Sequence, residues 1–202
     1  MFTKEEQVRI ETWLTEPKLS IPLYFTPSGK KSITGPTPYY YGIFTKTEWI
    51  PGGKGFQGVN LVFQPTTAYP FMKVGERISV NSTDIWKKLS IPQIDDSFIY
   101  PIVTLKENKA NFSVENETLG DKVMSLTGIS NMENLEIDCK NCIITNLDTG
   151  KMLSFTDIGW NNVSNISWLR LRQGTNKLVF SGACMATITY EIPFKKVGGW
   201  FE

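Results

Sequence analysis

Two cysteines three positions apart are the residues whose spacing most suggests chemistry. Cys139 and Cys142 form a C-x-x-C motif, which occurs in zinc sites and in thiol–disulfide redox sites. Zinc would need four ligands, and the chain has no histidine and one further cysteine, Cys184. Redox pairs usually lie at a helix N-terminus, whereas these cysteines flank a two-residue turn between strand-like runs. The motif therefore predicts small apolar residues at the tip of a β-hairpin, with no metal and no cofactor. A disulfide across the turn fits the spacing, although nothing in the sequence indicates an oxidising compartment.

Carboxylate pairs are the remaining catalytic candidates, because without histidine the commonest general base is absent. The adjacent Asp95 and Asp96 would point to opposite faces of a strand. Glu115 and Glu117 would share a face, as the carboxylates of glycosidases sometimes do. They lie next to a predicted turn, however, where a solvated strand end is the simpler interpretation. We therefore predict a protein that is not an enzyme and has no catalytic residues.

Three aromatic residues are candidates for binding. Trp160 lies in a predicted loop between strands, where its ring could stack on a sugar, so it is a candidate glycan contact. The alternative is a loop tryptophan that plugs the open end of a β-sandwich. Trp200 and Phe201 follow a pair of glycines at the end of the chain and are candidates for a partner interface. The alternative there is a tail that docks back on the N-terminal domain of its own chain.

Composition excludes several classes of protein. The 202 residues suffice for one large β domain or two small ones, and a fold of this size buries roughly 70% of its unfolded surface. The net charge of +1 argues against a nucleic-acid-binding surface. No apolar run approaches the ~18 residues of a membrane span, so no membrane insertion is expected. The charged N-terminal segment has no apolar core, and we do not expect it to be a secretory signal.

One helix is predicted near the start of the chain. Thr3 and Glu6 have the spacing of a capping box, and Ile10, Trp13 and Leu14 recur on one apolar stripe. Because Pro17 ends the pattern, the helix should cover about residues 3–15. Residues 82–89 form a second, shorter candidate helix.

The rest of the chain predicts antiparallel strands. A strand with Pro22 covers about 19–25 and should be either an edge strand or an irregular one, and a long aromatic strand covers 39–50. The interruption between Met72 and Asp95 predicts two domains, 1–78 and 79–202. In the second domain, short alternating runs with turns every ten or so residues are typical of a β-sandwich. These runs include 99–105, 112–116, 122–126, 135–139, 142–145, 168–172, 178–180 and 186–191.

The order of these elements resembles the distal tail proteins of long-tailed siphophages, and the similarity spans nearly the whole chain. The segments that carry it are Trp13-Leu14, Gly58–Phe63 followed by Pro65–Tyr69, the Ile137-Asp138 hairpin followed by Asp148-Thr149-Gly150, Trp168 with Gly174-Thr175-Asn176, and the Thr187–Tyr190 strand.

The resemblance implies a ring-forming N-terminal β domain and a galectin-like C-terminal β-sandwich. It also implies a homo-oligomeric ring of six copies in the virion tail tip, assembled in the bacterial host cytoplasm. The implied partners are the tail-tube protein above, the tail-associated lysin or tip protein below, and receptor-binding proteins around the periphery. Family members generally carry several tens of residues of β-structure before the Trp13-Leu14 helix. This chain is therefore expected either to be a truncated or divergent member or to receive the missing strands from another subunit.

Two other functions fit the same pattern. One is a stand-alone carbohydrate-binding module. The other is a baseplate accessory of a contractile tail or of a phage-derived bacteriocin, which would use the same domains.

Overall fold

The computed structural model describes residues 2–15, 20–24, 37–53, 55–81, 85–92, 98–160 and 166–193. Most of these residues form antiparallel strands, and one segment forms a helix, which confirms the predicted all-β class with minor α. The elements are α1 (Lys4–Thr15), β1 (Ile21–Tyr24), β2 (Tyr39–Gly52), β3 (Gly55–Pro65), β4 (Phe71–Val80), β5 (Ile85–Ile91), β6 (Ile102–Lys106), β7 (Phe112–Asn116), β8 (Met124–Leu126), β9 (Leu135–Asp138), β10 (Ile143–Asn146), β11 (Lys151–Met152), β12 (Gly174–Ser181) and β13 (Cys184–Pro193).

The chain divides into two compact units. The first contains the chain up to Met72, and the second runs from Lys73 to Ile192. The change of unit falls inside β4. The domain limit predicted after residue 78 lies in the same strand and stays a prediction.

Helix α1 of the first unit begins with the capping box predicted from the sequence. The Thr3 amide donates to a Glu6 carboxylate oxygen at 2.7 Å, and the Glu6 amide donates to the Thr3 hydroxyl at 3.3 Å. This reciprocal pair satisfies two backbone donors that a helix start leaves open. Leu14 is buried, and α1 ends at Thr15. Pro17 lies outside the described residues.

Strand β2 is the centre of the first unit. It pairs with β1 through Tyr39–Gly42 and with β3 through Gly42–Gly52. Strand β1 pairs only with β2 in the described part of the chain, which agrees with the predicted edge position. Gly42, where all three strands meet, admits no side chain, because an added Cβ would collide with the Phe63 ring.

The second unit is built from two sheets. One has the order β4-β13-β6-β9-β10-β11, and the other has the order β5-β12-β7-β8. Burial alternates along the strands of both sheets, so each sheet has one face that is excluded from water. Such faces form the core of a two-layer sandwich. The core includes Val103, Leu105, Phe112, Val114, Met124, Leu126, Leu135, Ile137, Leu178, Phe180, Ala186 and Ile188.

Two local predictions are wrong. The candidate helix at 82–89 is instead strand β5 in its described part, because residues 85–91 pair along their whole length with β12 and bury Leu89 and Ile91 alternately. The predicted strand at 168–172 is reduced to a single bridge between Leu171 and Ile99. There the Asn176 side chain bonds the Arg172 amide at 2.9 Å and its carbonyl at 2.7 Å, so these groups need no partner strand.

Candidate functional site

The C-x-x-C motif lies at a hairpin tip, as predicted. Residues 139–142 form the turn between β9 and β10. The carboxylate of Asp138 accepts the amides of Lys140 and Asn141, both at 3.0 Å, and so holds the turn. Cys142 ends the turn with a φ of 58°, a left-handed backbone conformation that is uncommon for residues other than glycine.

The three cysteines are free thiols and differ in burial. Cys139 and Cys184 are buried, whereas Cys142 is exposed. Burial raises the pKa of the Cys139 thiol to about 12 and that of the Cys184 thiol to about 11. Both thiols are therefore protonated at neutral pH, the opposite of what a reactive cysteine requires. In the parts of the chain that the structure describes, no three cysteine or carboxylate side chains gather as a metal site would need.

The candidate carboxylates have ordinary surface surroundings. Glu115 lies on the outward face of β7, and Glu117 lies in the turn that follows. Glu117 pairs with Lys177 at 2.6 Å, and both side chains are accessible to solvent. This is the solvated strand end that the sequence favoured. Asp95 and Asp96 lie outside the described residues.

Trp160 is packed inside one end of the β-sandwich. Its side chain is 4% exposed, and the indole N–H donates to the Ser125 carbonyl. Its ring lies 5.0 Å from Trp168 and 5.7 Å from Phe155, measured between centroids. Trp160 thus has the plugging role that the sequence analysis kept as an alternative, and the glycan contact stays a prediction. Trp200 and Phe201 lie outside the described residues, so the interface predicted there also stays a prediction.

The long hairpin of the first unit has little buried surface. From Ile43 to Pro65, no described residue is buried. The exposed side chains include Ile50, Leu61 and Val62, and Val62 is 50% exposed. In the described part of the chain, strand β3 pairs with β2 and otherwise only through a single bridge between Phe56 and Phe2, so most of its other edge presents open backbone groups.

Helix α1 adds further apolar surface to the same unit. Trp13 is 74% exposed, and Val8 is exposed as well. Both line an open groove of about 560 Å³ together with Phe2, Glu6, Arg9, Ile10 and Thr12. The described helix is too short and too polar to span a membrane.

Contacts between α1 and the hairpin hold this surface in place. The Phe2 amide donates to the Phe56 carbonyl at 3.1 Å, and the Phe2 ring meets Trp49 edge-on at 5.7 Å. The indole N–H of Trp49 donates to the Glu11 carboxylate. The exposed apolar residues of helix and hairpin thus belong to one preformed part of the first unit, which we call the assembly surface: Phe2, Val8, Trp13, Ile50, Leu61 and Val62.

Sequence reasoning missed most of this surface. It placed Trp13 with Leu14 on one apolar stripe, yet only Leu14 is buried. It used the segment Gly58–Phe63 for the family resemblance and did not single out Val62 as a candidate residue. The signal was the unbroken run Leu61-Val62-Phe63, because consecutive apolar residues put apolar side chains on both faces of a strand.

Comparisons with known proteins agree with this architecture. The profile of the family described as phage tail C-terminal domain matches residues 66–190. A search of curated protein sequences finds no relative of the chain. Among solved structures, the chain is similar to the Dit protein of phage SPP1, described as a paradigm of the hub adsorption apparatus in phages that infect Gram-positive bacteria. The TM-score is 0.52 at 14% identity, over 96% of this chain and 74% of the SPP1 chain.

At that identity the structural similarity shows a shared fold, and the family match covers more than half of the chain. The resemblance to distal tail proteins inferred from the order of the motifs is therefore confirmed. The chain belongs to the phage tail C-terminal domain family and is a structural component of a phage tail.

Proposed function

We propose that this tail protein assembles into a ring that links the tail tube to the tail tip and anchors the components that bind the host. The observation that carries the proposal is the hairpin β2–β3, in which no described residue from Ile43 to Pro65 is buried. A lone two-stranded hairpin is at best marginally stable in water and needs a packing partner. In a ring, a neighbouring copy would supply that partner.

The assembly surface has the properties of a subunit contact. Its apolar side chains come from two elements, α1 and the hairpin, that are already fixed to each other. The open edge of β3 adds unpaired backbone groups beside them. If this surface meets a different surface on the next copy, the contact is head-to-tail, and head-to-tail contacts that close make a ring.

The remaining partners are proposed from the shared fold. The SPP1 protein that shares it belongs to a hub adsorption apparatus. We propose that this chain likewise forms a hexamer at the virion tail tip, assembled in the host cytoplasm. Its partners there would be the tail-tube protein, the tail-associated lysin or tip protein, and the receptor-binding proteins. In the proposed arrangement the C-terminal sandwich is galectin-like, and Trp200 and Phe201 serve as additional anchors.

Oligomeric state tests the proposal directly. Light scattering across a concentration series, followed by negative-stain imaging, should find a discrete ring for the unaltered chain. Val62→Asp should abolish the ring, because a carboxylate would be desolvated in the contact. Val123→Asp is the matched control, since Val123 is an exposed valine of the second unit. A chain that stays monomeric at every concentration, or a Val62→Asp variant that assembles normally, would contradict the proposal.

A further inference from the structure

The outward face of the sheet β5-β12-β7-β8 carries one large aromatic side chain on an otherwise polar surface. Trp86, on the edge strand β5, is 63% exposed. The other outward-facing residues on these strands are mostly small or charged: Lys88, Ser90, Ser113, Glu115, Ser125, Thr175, Lys177, Val179 and Ser181.

Strand register gives the spacing around Trp86. Val179 is directly opposite Trp86, and Glu115 is opposite Val179 on the next strand. With neighbouring strands about 4.8 Å apart, the Glu115 backbone lies about 10 Å from that of Trp86. Lys88 follows Trp86 by two residues on the same face, about 7 Å along the strand. The indole ring thus has an acceptor group on one side and a donor group on another, at separations that a sugar unit can span.

We propose that this face, which we call the Trp86 face, binds a neutral sugar unit of a polysaccharide. The electron-rich face of an indole attracts the weakly positive C–H groups on one side of a sugar ring. The hydroxyl groups at the rim of the sugar both donate and accept hydrogen bonds. The Lys88 ammonium can only donate and the ionised Glu115 carboxylate can only accept, so together they meet both needs.

The charges on the Trp86 face favour a neutral ligand. Lys88 and Lys177 are balanced by Glu115 and by Glu117, and Lys177 already pairs with Glu117 at 2.6 Å. An acidic or a basic polymer would therefore meet no excess of opposite charge.

A protein partner fits this face less well. Protein contacts centre on contiguous apolar clusters with a polar rim. Among the described residues of the Trp86 face, the only other apolar side chain is Val179, so no such cluster is present there. The buried Trp160 and the exposed Trp86 thus have different roles in one sandwich: Trp160 fills its interior, and Trp86 offers an open ring.

Binding of defined sugars by the full-length chain tests the inference. The probes are an array of glucose-, galactose-, rhamnose- and N-acetylglucosamine-containing oligosaccharides, with hyaluronan as an acidic control. The best neutral ligand is then titrated by calorimetry. Trp86→Ala should weaken its binding about tenfold or more, and Lys88→Met several-fold. Tyr69→Ala is the matched control, because Tyr69 is an exposed aromatic residue of the first unit that lies outside both the Trp86 face and the assembly surface.

Three results would overturn the proposal. They are an unaltered chain that binds no neutral glycan, a Trp86→Ala variant that binds as well as the unaltered chain, and equal losses in Trp86→Ala and Tyr69→Ala. Far-UV circular dichroism and the unfolding midpoint check that each variant is folded, and Lys88→Met provides the test if Trp86→Ala is not. A Trp86→Ala variant that instead lost binding to another tail protein would assign the Trp86 face to protein docking. The test is independent of ring formation, since a monomer would carry the same face.

Discussion

The hairpin β2–β3 and the sandwich strand β13 share antiparallel pairing but differ in burial. In β13 every second residue is buried, from Cys184 to Ile192. Across the whole of β3 no residue is buried. The strands of both regions are hydrogen-bonded to a neighbouring strand, so the difference in burial comes from the presence or absence of a second layer. The sandwich carries its own second layer, and we propose that the hairpin obtains one from another copy.

This difference indicates which region contributes most to the stability of the isolated chain. Burial of apolar surface contributes about 25 cal/mol per Å², so a region whose side chains stay in water gains little. The second unit should therefore tolerate core changes poorly, and the hairpin should tolerate comparable changes until the chain assembles. Pairs of equivalent substitutions in the two regions measure this contrast.

Truncating one phenylalanine to alanine in each region should give the largest difference in stability loss between the two regions. Phe180 on β12 is 0% exposed, and Phe180→Ala should lower the free energy of unfolding by about 3–5 kcal/mol. Phe44 on β2 is only partly buried, so Phe44→Ala should lower it by about 1 kcal/mol. Urea unfolding followed by circular dichroism gives both values. Equal losses would mean that the hairpin is packed as tightly as the sandwich.

A buried amide should give the next largest effect. Asn176 is fully buried, accepts the Arg172 amide and the Asn116 side-chain amide, and donates to the Arg172 carbonyl. Asn176→Ala removes the side-chain partner of the Arg172 amide and carbonyl and one of the two partners of the Asn116 amide, and should reduce stability by about 2 kcal/mol. Asn60→Ala, at an exposed position of β3, should change it by less than about 0.5 kcal/mol. Thermal unfolding measures both variants. Equal decreases of the unfolding midpoint in Asn176→Ala and Asn60→Ala would contradict the expected difference.

The smallest effect concerns one ion pair in each region. Arg170 donates to both Asp121 carboxylate oxygens, at 2.8 and 2.6 Å, whereas Lys46 and Glu48 on the hairpin are highly exposed and 3.7 Å apart. Asp121→Asn should lower the free energy of unfolding by about 1 kcal/mol at neutral pH. The effect is modest because Arg170 is partly exposed, and water weakens its interaction with Asp121. Glu48→Gln should have no measurable effect.

The pH dependence of the Asp121 effect has a defined sign. The hydrogen bonds from Arg170 lower the pKa of Asp121 below its ordinary value. A carboxyl group with a lowered pKa in the folded state stabilises the fold above its unfolded pKa of about 3.9. That stabilisation disappears as the pH falls through the folded pKa. The difference between the unaltered chain and Asp121→Asn should therefore shrink in acid, and a difference that is constant from pH 7 to pH 2 would contradict it.

Local pattern and turn chemistry were enough to predict most of the strands and the helix start. The Thr3–Glu6 capping box and the Cys139–Cys142 hairpin tip are both found where the sequence placed them. Both depend on residues close together in the chain, and neither needs knowledge of distant partners. The sequence also supported the family, because the order of the motifs is preserved even where single motifs are ordinary.

Burial could not be predicted in the same way, because it depends on what covers a side chain from elsewhere in the fold. Trp160 and Trp86 illustrate the problem, since both follow polar loop-like sequence. Trp160 is covered by Phe155 and Trp168, and Trp86 stands on an open face. Residues 85–89 were misread as part of a helix for a related reason: their strand is fixed by pairing with β12, nearly ninety positions further along the chain.

The hairpin tip between β9 and β10 also offers a practical handle. Of the three thiols in the chain, Cys142 alone is exposed, and the other two are shielded by their surroundings. A maleimide dye or a gold cluster should therefore attach once per copy, at a defined corner of the sandwich. In images of an assembled particle, the number of marks would count the subunits, and their radius would locate each C-terminal unit without any sequence change.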